Sequence, residues 1–290
     1  MPSGEFGRAM RAPTDFNPPA LSRFGTFERR HTGGSPPPVL HMTKILLSGC
    51  GGHMGRVIAS LVENRDDCEI SAGIDLRPAG NETFPVFASP AEVTAPADVV
   101  IDFSHPSVLS PLLAYTREKK LPVVLCTTGY TPEQVAELKE AAKEIPVFYS
   151  RNMSIGINLL IELAKKATAV LGRDFDIEIV EEHHNQKIDA PSGTALMIAD
   201  AISETREGST QYMYDRHSQR KKRNSDEIGI HSIRGGTIVG EHEVIFAGQH
   251  EVIRLSHSAQ SKEVFAAGAV NAALYLPGKP AGLYDMSNLV

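Results

Sequence analysis

The chain has 290 residues, 41% of them hydrophobic, with a formal net charge of −6, which is enough to bury a full core in two modest domains. The acidic balance argues against a polyanion binder, so nucleic acid is not an expected partner, and no apolar run approaches the ~20 residues of a membrane helix, so no membrane association is expected. Three cysteines, Cys50, Cys68 and Cys126, do not make a disulfide framework and point to a reducing compartment, the cytoplasm.

Residues 1–42 carry Pro18-Pro19, Gly33-Gly34, Pro36-Pro37-Pro38 and scattered arginines without sustained periodicity, and read as a disordered extension. The segment has no apolar signal core, and Glu5, Asp15 and Glu28 argue against a transit peptide, which leaves an organellar leader as the lesser reading. Met42, directly before the first strand, is the expected start.

A first domain is expected over residues 43–152. Lys44 to Ser48 is a short apolar strand, followed by the turn Gly49-Cys50-Gly51-Gly52-His53-Met54-Gly55 and a helix with Val57, Ile58, Leu61 and Val62 on one face. Such a turn brings a pyrophosphate close to the backbone at a helix N-terminus. The next strand, Glu69 to Ile74, ends at Asp75, whose carboxylate falls where ribose hydroxyls would lie. The alternation continues through strand Asp98–Asp102, helix Ser107–Lys120, strand Pro122–Cys126, helix Thr131–Glu144 and strand Pro146–Tyr149, which predicts a parallel sheet. Ligands of such sheets sit at the carboxyl ends of the strands, near Ser104, Thr127, Thr128, Gly129 and Asn152.

A second domain is expected over residues 153–261. It starts with a helix over Ile155–Leu171, then a strand marked by Phe175, Ile177 and Ile179, a polar loop, and an amphipathic helix from Ala195 to Ile202. Glu227–Ile233, Thr237–Phe246 and Glu251–His257 read as strands, the last two as a hairpin through Ala247-Gly248-Gln249-His250. The basic stretch Arg216 to Arg223 is expected to be a solvated loop, and His242 and His257 to be framework residues. Residues 262–290, opening with a helix over Lys262–Leu276, are expected to return to the first domain. The fold class is therefore α/β: a Rossmann-like parallel sheet domain plus a second α+β domain with an open mixed sheet. One face of that second sheet is free for subunit contacts, so a homo-oligomer is expected.

The chemistry concentrates in His183-His184-Asn185-Gln186-Lys187-Ile188-Asp189-Ala190-Pro191-Ser192-Gly193-Thr194-Ala195. Ser192 is a helix N-cap, so the amides of Gly193 and Thr194 lack intrahelical partners and favour an anion, to which Lys187 adds a full charge. On a strand, His183 and His184 point to opposite faces and cannot easily chelate one ion, so no metal site is expected. One of the two is suited to proton transfer while the other orients a ligand.

Glu181 to Ala195, the glycine turn, Thr127-Thr128-Gly129-Tyr130 and Asn152-Met153-Ser154 resemble, in order, the motifs of the dihydrodipicolinate reductase (4-hydroxy-tetrahydrodipicolinate reductase) family of the diaminopimelate route to lysine. The resemblance covers residues 43–290, and residues 1–42 have no counterpart in it. It implies a homotetramer in which His183 is the catalytic proton donor or acceptor, Lys187 a second proton donor, and His184, Gly193 and Thr194 bind substrate. Cofactor contacts would fall on Gly49, Cys50, Gly51, Gly52, His53 and Met54, on Asp75, on Cys126, Thr127 and Thr128, and on Ser150, Arg151, Asn152 and Met153. The implied substrate is a small cyclic imine dicarboxylate that takes hydride from NADH or NADPH at a ring carbon conjugated with the imine. Many relatives carry arginine in place of His53. The neutral imidazole and Asp75 both favour a free ribose hydroxyl, so NADH should serve at least as well as NADPH, unless Arg56 or Arg77 compensates. Two rival readings are another two-domain amino-acid dehydrogenase, which leaves the loop unexplained, and a non-catalytic nucleotide sensor, which leaves His183 and Lys187 without a purpose.

Overall fold

The computed structural model describes residues 42–78 and 80–290; the extension expected over residues 1–42 lies, apart from Met42, outside the described residues. Strands β1 (Thr43–Ser48), β2 (Cys68–Ile74), β3 (Val86–Phe87), β4 (Val99–Asp102), β5 (Val123–Leu125) and β6 (Pro146–Tyr149) lie in one sheet with β12 (Gly282–Tyr284). The order is β12-β6-β5-β4-β1-β2-β3, with every pair parallel. Because both faces are covered, the strands read as continuous apolar runs, and successive residues serve different cores. Ile45 and Leu47 of β1 pack with α1 (His53–Val62) and α6 (Glu263–Tyr275), whereas Leu46 packs with α2 (Leu109–Lys119) and α3 (Pro132–Ala141).

Local signals account for the helix starts. Thr131 and Gln134 form a reciprocal capping box with Pro132 at the first helical position of α3. The helix expected from Ser107 instead opens with a 3₁₀ turn, Pro106–Val108, whose N-cap is His105. Helix α6 packs on the parallel sheet beside α1. Its alanines let it approach closely, and a Cβ at Gly268 would stand 1.7 Å from the Met153 carbonyl, so glycine is required there.

The second sheet has the order β11-β10-β7-β9-β8, from β7 (Asp176–His183), β8 (Gln211–Met213), β9 (Glu227–Arg234), β10 (Gly240–Ala247) and β11 (Val252–Ala259). β7 is antiparallel to β10 and parallel to β9, and β10–β11 is the expected hairpin. Helices α4 (Ile155–Leu171) and α5 (Gly193–Thr205) cover one face, burying Ile157, Ile161, Ile198 and Ile202 against Ile177, Ile179 and Phe246. The alternation along β7 is unbroken, with Ile177, Ile179, Glu181 and His183 turned toward the helices.

The basic stretch Arg216–Arg223 is not a solvated loop throughout, which corrects the sequence reading. Arg216 bonds Glu178 and Glu227, while Arg223 bonds Asp176, Glu178 and the carbonyls of Ile177 and Glu227. Acids spaced along β7 and β9 draw the two guanidiniums onto the sheet, an attraction that a charge count of the loop alone does not contain.

Candidate active site

At the carboxyl edge of the parallel sheet, Gly49 turns the chain from β1 toward α1 with φ +81°. The turn is too tight for side chains. A Cβ at Gly49 would stand 2.6 Å from the Phe103 carbonyl oxygen, and one at Gly51 2.5 Å from that of Arg77. The N-cap of α1 is Gly52, with no side-chain cap, so the amides of His53, Met54 and Gly55 have no carbonyl of the helix to bond, the arrangement that a pyrophosphate site uses. The Gly51 amide is already used: it donates to Asp75 Oδ2 at 2.9 Å, while Asp75 Oδ1 accepts from the Arg77 amide at 2.8 Å. Asp75 therefore both closes the turn and lines a cavity of about 540 Å³ with Ser48, Gly49, Gly52, Phe103 and Ser104. These features fit the adenosine half of a pyridine nucleotide. Arg56 donates to the Gly51 carbonyl at 2.7 Å, and His53 is exposed.

Cys50 and Cys126 are buried under this edge. Burial, then Asp75, pushes the Cys50 thiol up to about 11, and burial, then Asp102, pushes Cys126 well up. Both are neutral, compact side chains at neutral pH. Met54 packs partly buried against the core, and Met153 is buried with its carbonyl against α6. Ser150 donates to the Asn152 carbonyl at 2.9 Å, which shapes the loop after β6.

A second cavity, also of about 540 Å³, is lined by Thr127, Thr128, Gly129, Tyr130, Tyr149 and Arg151 from the parallel sheet and by His183, Lys187, Asp189, Ser192, Gly193, Thr194 and Leu196 from the mixed sheet and α5. Residues more than fifty positions apart in the chain thus converge on one space. Asn152 Nδ2 donates to Thr194 Oγ1 at 2.9 Å and joins the two walls. Arg151 reaches Asp200 of α5 at 3.5 Å. A Cβ at Gly193 would meet open space, so a ligand can approach the backbone there. His184, one residue past the end of β7, does not line this cavity; its carbonyl accepts from the Lys187 amide at 3.1 Å.

His183 ends β7 and is buried, with Nδ1 2.6 Å from Glu181 Oε2. Burial lowers its pKa below the usual imidazole value, with Lys187 and Arg234 adding to the effect and Glu181 opposing it. Lys187 Nζ pairs with Asp189 Oδ1 at 2.9 Å, and this bond lowers the Asp189 carboxyl. Ser192 caps α5 as expected, its Oγ accepting from the Ala195 amide at 3.1 Å. That hydroxyl also meets His242 Nε2 at 3.0 Å, and the rings of His242 and His183 stand edge-on at 5.3 Å. His242 is therefore part of the wall behind the site and not only framework. Burial, then His183, lowers it to about 3, so it is neutral. His257 behaves as framework: its Nε2 lies 3.5 Å from Ser154 Oγ, the N-cap of α4.

Three residues carry contacts to which the sequence reading assigned no role. Asp102 is buried at the end of β4 and accepts from Ser104 Oγ at 2.6 Å, Thr127 Oγ1 at 2.7 Å and Tyr130 Oη at 3.4 Å, setting the hydroxyls beside the cavity. Glu181 and Arg234 form the pair behind His183. Glu181 was findable, because residues two apart on a strand share a face.

Residues 43–153 match the family profile described as dihydrodipicolinate reductase, N-terminus, and residues 156–290 the profile described as dihydrodipicolinate reductase, C-terminus. The chain belongs to the dihydrodipicolinate reductase family. The 4-hydroxy-tetrahydrodipicolinate reductase of Clostridium tetani (strain Massachusetts / E88) is 51% identical over 245 residues, covering 84% of this chain and 96% of its own. That of Clostridium novyi (strain NT) is 51% identical over 249 residues, covering 86% and 98%. Among solved structures, the dipicolinate-bound dihydrodipicolinate reductase from Paenisporosarcina sp. TG-14 superposes with a TM-score of 0.72 at 27% identity, covering 86% of this chain and all (100%) of its own. A probable dehydrogenase from Thermotoga maritima, with a TM-score of 0.56 at 12% identity, covers 83% of this chain and 91% of its own, and shares the fold alone.

Proposed function

We propose that the chain reduces 4-hydroxy-tetrahydrodipicolinate, through its dehydrated cyclic imine, to tetrahydrodipicolinate in diaminopimelate and lysine synthesis. The observation that carries the reading is the cavity in which Thr127 and Thr128, from the nucleotide-binding edge, face His183, Lys187, Gly193 and Thr194. When bound, NADH or NADPH supplies the hydride. The first-turn amides of α1, Asp75 and the loops at Cys126–Thr128 and Ser150–Met153 hold the cofactor. One substrate carboxylate is received by the Gly193 and Thr194 amides and by Lys187, which exchanges Asp189 for it. His183 or Lys187 supplies the proton that balances hydride addition. Fixed donors aimed at the developing charge strengthen this stabilisation.

Asp75 carries negative charge at the ribose position, and Arg56 is engaged by the Gly51 carbonyl, so NADH serves at least as well as NADPH. Initial rates at limiting concentrations of each cofactor test this, and a strong NADPH preference contradicts it. The free face of the mixed sheet exposes Ile233 and Val252, which supports subunit contacts through that face; the number four is what the family resemblance implies. Sedimentation at micromolar concentration should give the mass of four chains, whereas a monomer would refute the assembly. The three free, buried cysteines suit the cytoplasm, and among the described residues no helix is long and apolar enough to cross a membrane.

The activity is tested by adding the product of the upstream synthase and following NADH absorbance. Substrate-dependent loss of NADH is expected, and cofactor binding without consumption would favour the sensor reading.

A further inference from the structure

Glu181 is fully buried, yet its two oxygens collect four hydrogen bonds from three separate parts of the chain. Arg234, at the end of β9, grips both oxygens through Nη1 and Nη2 at 2.8 and 2.7 Å. The Ser192 amide, at the cap of α5, donates to Oε1 at 3.1 Å, and His183 Nδ1 meets Oε2 at 2.6 Å. Arg234 Nη2 also donates to the Asp189 carbonyl at 2.7 Å, which ties down the loop that carries Lys187.

We propose that Glu181 is the positioning residue of the active site: its carboxylate fixes His183 as the Nδ1–H tautomer, leaves Nε2 for proton exchange, and sets the distance between that imidazole and the anion-binding start of α5. The inference rests on the reading of His183 as the acid–base group.

The tautomer follows from the partners. Burial alone would raise the Glu181 carboxyl, but the bonds from Arg234 first, then from its other partners, hold it down at about 2. An ionised carboxylate has no proton to give, so Nδ1 must be the donor. That leaves Nε2 as the exchangeable nitrogen. Its edge is kept clear by Gly240, where an added Cβ would come within 3.1 Å of it. An ion pair serving stability alone would be complete with Arg234 and the Ser192 amide. The short contact to His183 is the part that a purely structural pair does not need.

The charges facing His183 give the sign of the expected effect. Glu181 on its own strand favours the imidazolium; Lys187 from the loop and Arg234 from β9 disfavour it, and His242 from β10 stands edge-on and neutral. Replacing Glu181 by the uncharged isostere removes the attraction and leaves both repulsions. The imidazolium then persists only to lower pH.

Three variants and one spectrum test this. In Glu181→Gln the alkaline limb of the kcat profile, where a proton donor is lost, should move down by about one pH unit, and kcat should fall by about 100-fold with the Kd for NADH unchanged. Glu181→Asp, which keeps the charge but shortens the reach, should lose rate while the limb stays in place. In the wild-type protein, ¹⁵N-histidine spectra, with the His183 signals assigned by their loss in His183→Gln, should show neutral His183 protonated at Nδ1; this readout needs no folded Glu181 variant. An unmoved limb in folded Glu181→Gln, or a wild-type His183 protonated at Nε2, overturns the proposal. If His183→Gln retains wild-type turnover, the acid–base reading itself fails. If it is inactive and the Glu181→Gln limb does not move, only the role of Glu181 fails.

Discussion

The turn at Gly49–Gly55 and the loop at His183–Thr194 each bring a helix N-terminus to the wall of a cavity, but they are built from opposite materials. At the turn the N-cap is Gly52, with no side-chain bond, and the design consists of absent side chains whose Cβ atoms would strike backbone. At the loop the N-cap is Ser192, which bonds the Ala195 amide, the buried His242 and, through its own amide, Glu181. A diphosphate needs a shape and a set of amides, and local sequence supplies both. Proton transfer needs a titratable group held at a chosen angle and charge, and that takes partners from several strands.

The contrast can be broken by exchanging what each region depends on. A large effect is expected from Lys187→Met, which removes a full charge from the loop: kcat/KM for the dicarboxylate should fall about 10²–10³-fold with the NADH KM unchanged. A loss in steady-state assays of less than tenfold would mean that the amides of Gly193 and Thr194 bind the anion alone.

The second prediction concerns pH. The folded pKa of His242, about 3, lies below the usual imidazole value of 6.5, so the unfolded chain binds more protons between those limits and stability must fall as pH drops through that window. His183 and His257 are shifted in the same direction. Glu181, lowered from 4.5 to about 2, extends the loss further into acid. Melting temperatures of His242→Gln should decline less steeply than wild type from pH 6.5 to 4.5, and parallel curves would show that His242 is not held neutral.

Smaller and opposite in kind is Gly51→Ala. Its Cβ would stand 2.5 Å from the Arg77 carbonyl, so the NADH KM should rise about tenfold while the substrate KM stays fixed. Ser192→Ala should cost about 1 kcal/mol, seen as a few degrees in melting temperature. No loss there would mean that the Glu181 network, not the hydroxyl, holds the helix start.

Legibility in the sequence divides along the same line. Strand β1, the glycine turn, the hairpin β10–β11 and the polar loop were all readable, because each is specified by neighbours within a few residues. Strands β3, β8 and β12, at two or three residues each, are too short to show a period and exist through their partners in the sheet. The pairing of Glu181 with Arg234 spans 53 residues, and that of Ser192 with His242 spans 50. Neither has a local signature, since each forms only when β9 and β10 flank β7. The docking of Arg216 and Arg223 on the sheet was misread for the same reason: the acids that attract them lie on other elements.

The most direct measurement is turnover of His183→Gln with NADH binding followed in parallel by fluorescence. Substrate-dependent NADH oxidation is expected to fall by about 10²–10⁴-fold with the Kd for NADH unchanged. A folded, NADH-binding variant that turns over at the wild-type rate would contradict the assignment of proton transfer to this loop.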